Sequence, residues 1–137
     1  MDEYALFRLL TGERTSHVVA GQIPSRVARA LRAETCSVFL SAETVYKQES
    51  KHFNEKMALY MRAPNLFKSP YVLIQNCNRA IFIVHEKKGK IRSYKAVVKV
   101  TKNRQKLFLM SIHRVDRSDI RAAFRNSVRL TEFEKGA

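Results

Sequence analysis

From Tyr71 the helical spacing of the chain gives way to a run of strand-like segments. Side chains alternate between the two faces of a strand, so YVLIQN (71–76), AIFIVHE (80–86), IRSYKAVVKVT (91–101) and KLFLMSIHRV (106–115) read as four strands. The connections at 76–78, 87–90 and 102–105 are too short for crossovers and predict an antiparallel meander. What precedes them has helical spacing. A short helix opens the chain, before a loop at Thr11-Gly12. A second starts at Pro24-Ser25 and buries Val27, Ala28 and Leu31. Val18 to Pro24 is a brief extended piece, and CSVFL (36–40) a short apolar strand. Ser41 then caps a helix running through SAETVYKQESKHF (41–53), and Asn54 to Arg62 forms another before Ala63-Pro64-Asn65. A closing helix runs from Asp116 or Ser118 to about Val128, with Ile120, Ala123 and Phe124 inward. The expected fold is α+β: N-terminal helices packed on a four-stranded antiparallel sheet, with a closing C-terminal helix.

The 137 residues fit one domain, divided as an N-terminal helical part (1–35), a core (36–128) and a loose tail (129–137). No apolar run approaches the roughly 18 residues that would span a bilayer. The N-terminus, acidic at its start, does not read as a secretory signal. A cytoplasmic protein without a membrane partner is expected. Cys36 and Cys77 sit in apolar stretches and read as two reduced core thiols, with one disulfide the alternative.

The formal charge is +14. That sign calls for a polyanionic partner, most simply nucleic acid. Its distribution is more telling. Between Lys87 and Val115 there are ten Lys or Arg and no acid in 29 residues. Period two puts Tyr94, Ala96, Val98 and Val100 on one face and Lys95, Lys99 and Thr101 on the other. Ordinary solvated faces mix both signs, so this one reads as a phosphate-binding surface that includes Lys102 and Arg104 of the turn, with an ordinary solvated sheet face the alternative. Phe108, like Tyr94, is expected to face the core. The paired aromatics of an RNA-recognition-motif sheet are missing, as are zinc-finger spacing and a convincing reading helix.

Chemistry on RNA requires little. The substrate's 2′-hydroxyl is the nucleophile, and the protein supplies a proton acceptor, a proton donor and cations. Two-metal hydrolysis would need clustered carboxylates, and the acids here are scattered. Asp116 and Asp119, the close pair, read as helix-start chemistry. No metal and no cofactor are therefore expected. On a helix through 41–53, Thr44, Lys47, Gln48, Lys51 and His52 fall within an arc of about 140°. That side is either a solvated face or a basic catalytic wall turned toward the strands. His17 and His85 read as surface or structural residues. His113 shares a strand face with Ser111, beside Arg114, and could meet His52 across a cleft.

The segment FLSAETVYKQESKH, with Lys99 and Ser111-Ile112-His113-Arg114 after it, resembles phage-encoded nuclease-like domains grouped with barnase, EndoU, colicin and RelE ribonucleases. In those domains a strand leads into a helix ending in Lys-His. Strands with a basic residue and a Ser/Thr-x-x-Arg segment follow. The resemblance covers about Val38 to Arg125, and departs from the pattern at Phe53-Asn54, where Pro and an acid are expected. It implies a metal-independent ribonuclease, often a toxin or effector, with transfer RNA a candidate substrate. An acidic antitoxin or immunity protein would be its partner. The expected catalytic set is then His52, Lys51, Lys47, Ser111, His113 and Arg114. Thr44, Lys95, Lys99, Thr101, Lys102 and Arg104 would bind the RNA. The alternatives are a non-catalytic RNA-binding module and an interaction protein with an acidic partner.

Overall fold

A computed structural model describes residues 1–48 and 52–136. Its framework is a mixed sheet of seven strands among the described residues, in the order β1-β2-β6-β5-β4-β3-β7. The expected meander is its centre. β3 (Tyr71–Gln75), β4 (Arg79–Lys88), β5 (Lys90–Val100) and β6 (Leu107–Val115) are antiparallel neighbours in chain order. A four-stranded sheet is nevertheless too small a description. β1 (Val18–Gln22) and β2 (Ser37–Leu40) form an antiparallel pair, and β2 joins β6 in parallel through Val38↔Leu107 and Phe39↔Phe108. β7 (Val128–Arg129) extends the other edge along β3. Both β1 and β2 are legible as extended segments. Their place in the sheet is a long-range pairing that local periodicity does not encode.

The helical layer lies on one face. α1 (Glu3–Thr11) contributes Leu6 and Leu9, and α2 (Ser25–Ala30) contributes Val27 and Ala28. α4 (Phe53–Tyr60) and α5 (Ala63–Leu66) add Leu59, Tyr60, Ala63 and Leu66. They cover Phe82, Tyr94, Ala96, Val98, Leu109 and Ile112 of the sheet. Gly21 has φ +154°, and a Cβ there would stand 3.0 Å from Cδ2 of Phe67. Glycine therefore lets the β1 bulge between Val19 and Gly21 approach the Phe67 ring.

The closing helix α6 (Arg117–Arg125) crosses to the opposite face, where Ile120 and Ala123 pack on Leu73, Ile81, Ile83 and Val97. Phe124, expected inward, is exposed and lies beside the Arg129 guanidinium. α6 starts on a capping box. Asp116 accepts from the Asp119 N–H, and Asp119 accepts from the Asp116 N–H. That backbone bond, with the Ser118 hydroxyl, holds the Asp116 carboxyl below its ordinary range. The segment expected as a loose tail carries a short helix among its described residues. α7 (Leu130–Lys135) buries Leu130, and its Glu134 pairs with Arg26 of α2. The hydrogen bond from Arg26 depresses the Glu134 pKa. The two cysteines are free; Cys36 is half-buried, while Cys77 is exposed rather than in the core. No helix among the described residues is long and apolar enough to cross a membrane.

Candidate nucleic-acid interface

The helix expected over 41–53 ends early. α3 (Ala42–Lys47) starts on Ser41, whose side chain accepts from the Thr44 N–H, and is capped at its C-terminus by Gln48. The tertiary structure supplies the stop. The Val45 carbonyl accepts from the Gln48 N–H at 3.3 Å and from the Lys56 ammonium of α4 at 3.4 Å. Gln48 turns away from the expected polar face. Its amide donates to the Ile112 carbonyl on β6 at 3.4 Å, and its Oε1 accepts from the Tyr60 hydroxyl. Burial raises the Tyr60 pKa to about 12. His52 begins the next helix as the N-cap of α4, exposed and without a side-chain capping bond. Beside it, Phe53 meets Phe7 of α1 edge-on at 5.6 Å. Thr44, Lys47, Gln48 and His52 thus do not form one helical wall, and Lys51 lies outside the described residues.

Two members of the expected wall do meet the basic strands. A cleft of about 370 Å³ lies where α3 approaches the end of β5. Thr44 and Lys47 line it from α3, with Ser41 and Glu43. Lys99, Thr101 and Lys102 line it from β5 and its turn, and Phe108 and Met110 from β6. Val100 and His17, the latter just before β1, complete the lining. The Lys47 ammonium is 3.1 Å from Glu43, but both side chains are largely exposed, so the pair is weak and open to exchange. Lys99 faces Arg79 on β4 and Phe108 on β6 across the sheet. Thr44 is nearly buried, and its Oγ1 accepts from Ser41 at 3.1 Å. The Thr101 hydroxyl donates to Asn103 at 2.7 Å and accepts from the Lys106 N–H at 3.2 Å. The two threonines therefore shape the cleft walls.

Phe108 departs from expectation. Its neighbours Leu107 and Leu109 are fully buried, so Phe108 lies on the other face. There it meets His17 edge-on at 5.0 Å and Phe39 at 6.2 Å. The trio is a surface on which an unpaired base can stack. All three of Leu107, Phe108 and Leu109 are apolar, so composition could not say which faced the core. Strict alternation could have flagged Phe108, but Met110 interrupts it with a bulge opposite Val97 and Val98. His17 carries no local sign at all, being brought to the cleft by the β1–β2 pairing.

The other expected residues are spread out. Ser111 and His113 do share a face, opposite Val97 and Lys95, while Arg114 pairs opposite buried Tyr94. None of Lys95, Ser111, His113, Arg114 or His52 lines the cleft. Arg104 is not aimed at solvent. It holds φ +65°, and its guanidinium donates to the carbonyls of Leu31 at 3.1 Å and Cys77 at 3.2 Å. It ties the β5–β6 turn to α2 and to the β3–β4 turn. Hydrogen bonds to charged groups are worth roughly 1.5–3 kcal/mol, so Arg104→Met is expected to lose about that much stability. Urea denaturation would measure it, and an unchanged midpoint would return Arg104 to the surface role.

Among the described residues no group of three or more His, Cys, Asp or Glu is placed to hold a metal ion. No protein-family model, curated protein or solved structure matches this chain.

Proposed function

We propose that this protein is a metal-independent ribonuclease whose active site is the cleft between α3 and the β5–β6 end of the sheet. One observation carries the reading: an imidazole (His17), a carboxylate (Glu43), three ammonium groups (Lys47, Lys99, Lys102) and an aromatic ring (Phe108) line the same cleft. The chemistry uses each of them. Glu43 as carboxylate takes the proton of the substrate's 2′-hydroxyl, and the 2′-oxygen attacks the adjacent phosphorus. The bond to the 5′-oxygen breaks, and protonated His17 gives that oxygen its proton. The products are a 2′,3′-cyclic phosphate and a free 5′-hydroxyl. The lysines neutralise the phosphate as charge builds on its equatorial oxygens, and Phe108 supports the flanking base. His17 takes the proton-handling role that the sequence assigned to His52, because His17 is the imidazole lining the cleft.

In this reading the protein acts on RNA in the cytoplasm, transfer RNA being one candidate. An acidic inhibitor protein that fills the cleft is the natural safeguard against damage to host RNA. The purified protein is expected to cleave RNA in EDTA and to leave a 2′,3′-cyclic phosphate end. A second reading, an RNA-binding module without cleavage, is favoured by the ring trio of His17, Phe39 and Phe108, which needs no chemistry to be useful. Binding with a steep salt dependence and no cyclic phosphate would select it.

A further inference from the structure

The β4–β5 hairpin is longer than its neighbours. β3 pairs with β4 only as far as Ile83, and β6 pairs with β5 only as far as Ser93. Among the described residues, the pairs Glu86↔Arg92, Lys87↔Ile91 and Lys88↔Lys90 therefore form a two-stranded ribbon with no strand on either side. Gly89 closes it with φ +79°, a conformation that favours glycine. Three pairs at the strand rise project about 10 Å beyond the sheet.

The ribbon is basic and its one acid is spoken for. Glu86 accepts from Arg62 at 3.2 Å, and the Arg62 guanidinium lies 4.5 Å above the Tyr94 ring while donating to the Ala58 carbonyl. That contact braces the base of the ribbon on α4, so the arm is held in position before any partner arrives. At its end Ile91 is 70% exposed, directly opposite Lys87 in the register. An exposed β-branched side chain flanked by lysines and an arginine suits neither a core nor an ordinary solvated tip. It suits a polyanion that also offers apolar sugar surface.

Resting on the RNA reading of the cleft, we infer that this arm grips a double-stranded RNA stem adjoining the unpaired segment in the cleft. A blunt, two-stranded arm matches the wide, shallow minor groove of A-form RNA, with Ile91 and Lys87 on one face of the ribbon against the ribose and phosphates of one strand, and Lys90 and Arg92 on the opposite face toward the phosphates of the other. Ile91 and Lys99 are eight residues apart on one strand, about 27 Å, so a nucleotide in the cleft does not reach the arm. The substrate class is thus a stem with a neighbouring single strand, and the arm selects for the stem.

Fluorescence anisotropy tests this with three probes: an RNA stem bearing a 2′-O-methylated single-stranded overhang that cannot be cleaved, the same overhang alone, and a B-form DNA duplex with that overhang. The wild-type protein is expected to bind the RNA stem probe about tenfold tighter than the overhang at physiological salt. The K87Q/K90Q/R92Q variant is expected to lose that preference, with a salt slope on the stem probe lower by about two to three, and to bind the overhang as before. Ile91→Ser is expected to reduce the stem preference without changing the salt slope. Lys99→Ala, in the cleft, is expected to weaken both RNA probes alike. Melting temperatures check that the variants are folded. Equal wild-type affinity for the stem probe and the overhang overturns the arm's role and leaves the cleft reading intact. So does an arm variant that weakens both RNA probes equally, or tighter binding to the DNA duplex. Conversely, a stem preference without cleavage of unmodified RNA overturns the ribonuclease reading and leaves the arm standing.

Discussion

His17→Ala is expected to lower the rate of RNA cleavage by roughly 10²- to 10⁴-fold, the usual contribution of a positioned proton-transfer group. Affinity for RNA should change no more than severalfold, because Lys47, Lys99 and Lys102 still line the cleft. The split distinguishes His17 from a residue that merely binds. Removing Lys99 should raise the concentration of RNA needed for half-maximal rate as well as slow turnover, whereas removing His17 should lower the maximal rate alone. Glu43→Gln tests the partner. It keeps the shape of the side chain and removes the proton acceptor, so it too should slow turnover while leaving binding in place. Full activity in His17→Ala, with activity lost in His52→Ala, would move proton transfer to the start of α4. The cleft would then be a binding surface only.

Phe82→Ala is expected to destabilise the fold by about 3–5 kcal/mol. Phe82 is fully buried at the middle of β4, between Val72 on β3 and Ala96 on β5. Its ring meets that of Phe67 edge-on, with centroids 5.4 Å apart. Truncation removes the ring's transfer energy, leaves a cavity, and loses an aromatic contact worth about 0.5–1.5 kcal/mol. The site cannot collapse easily. Phe67 is held from the other side by Gly21, where even a methyl group would crowd it. Domains of this size are commonly stable by only about 5–15 kcal/mol, so the loss is a large share of the total. Thermal or urea unfolding would measure it, and Phe82→Leu should recover much of the loss. A shift under about 1 kcal/mol would mean that the helical layer adapts, contrary to a close-packed core.

Much of the architecture was readable because its signals are local. Alternation in YKAVVKV placed Tyr94, Ala96, Val98 and Val100 inward, and all four are buried. The same alternation put Lys95 and Lys99 on the other face, and short turns gave the meander. Ser41 and Asp116 were legible as helix starts, since capping is a contact between residues three apart. The candidate site was legible only by halves. Charge and period mark Lys47 and Lys99, and the cleft unites them. His52 would join them only on a single helix continuing through Phe53, and propensity alone gives no reason for a helix to stop at Lys47.

The stop is decided by contacts that span the sequence: Lys56 on the Val45 carbonyl, and Gln48 between Tyr60 and Ile112. The arrival of His17 beside Phe108 is decided in the same way, by β1 pairing with β2 and β2 with β6. Arg104 is the clearest case, a basic turn residue by sequence and a clamp on two distant carbonyls by structure. What the sequence determined by itself is the period, the charge of each face and the helix caps, because those follow from neighbours along the chain. What only the tertiary structure decided is which side chains meet. That depends on strand pairings and buried hydrogen bonds between residues tens of positions apart.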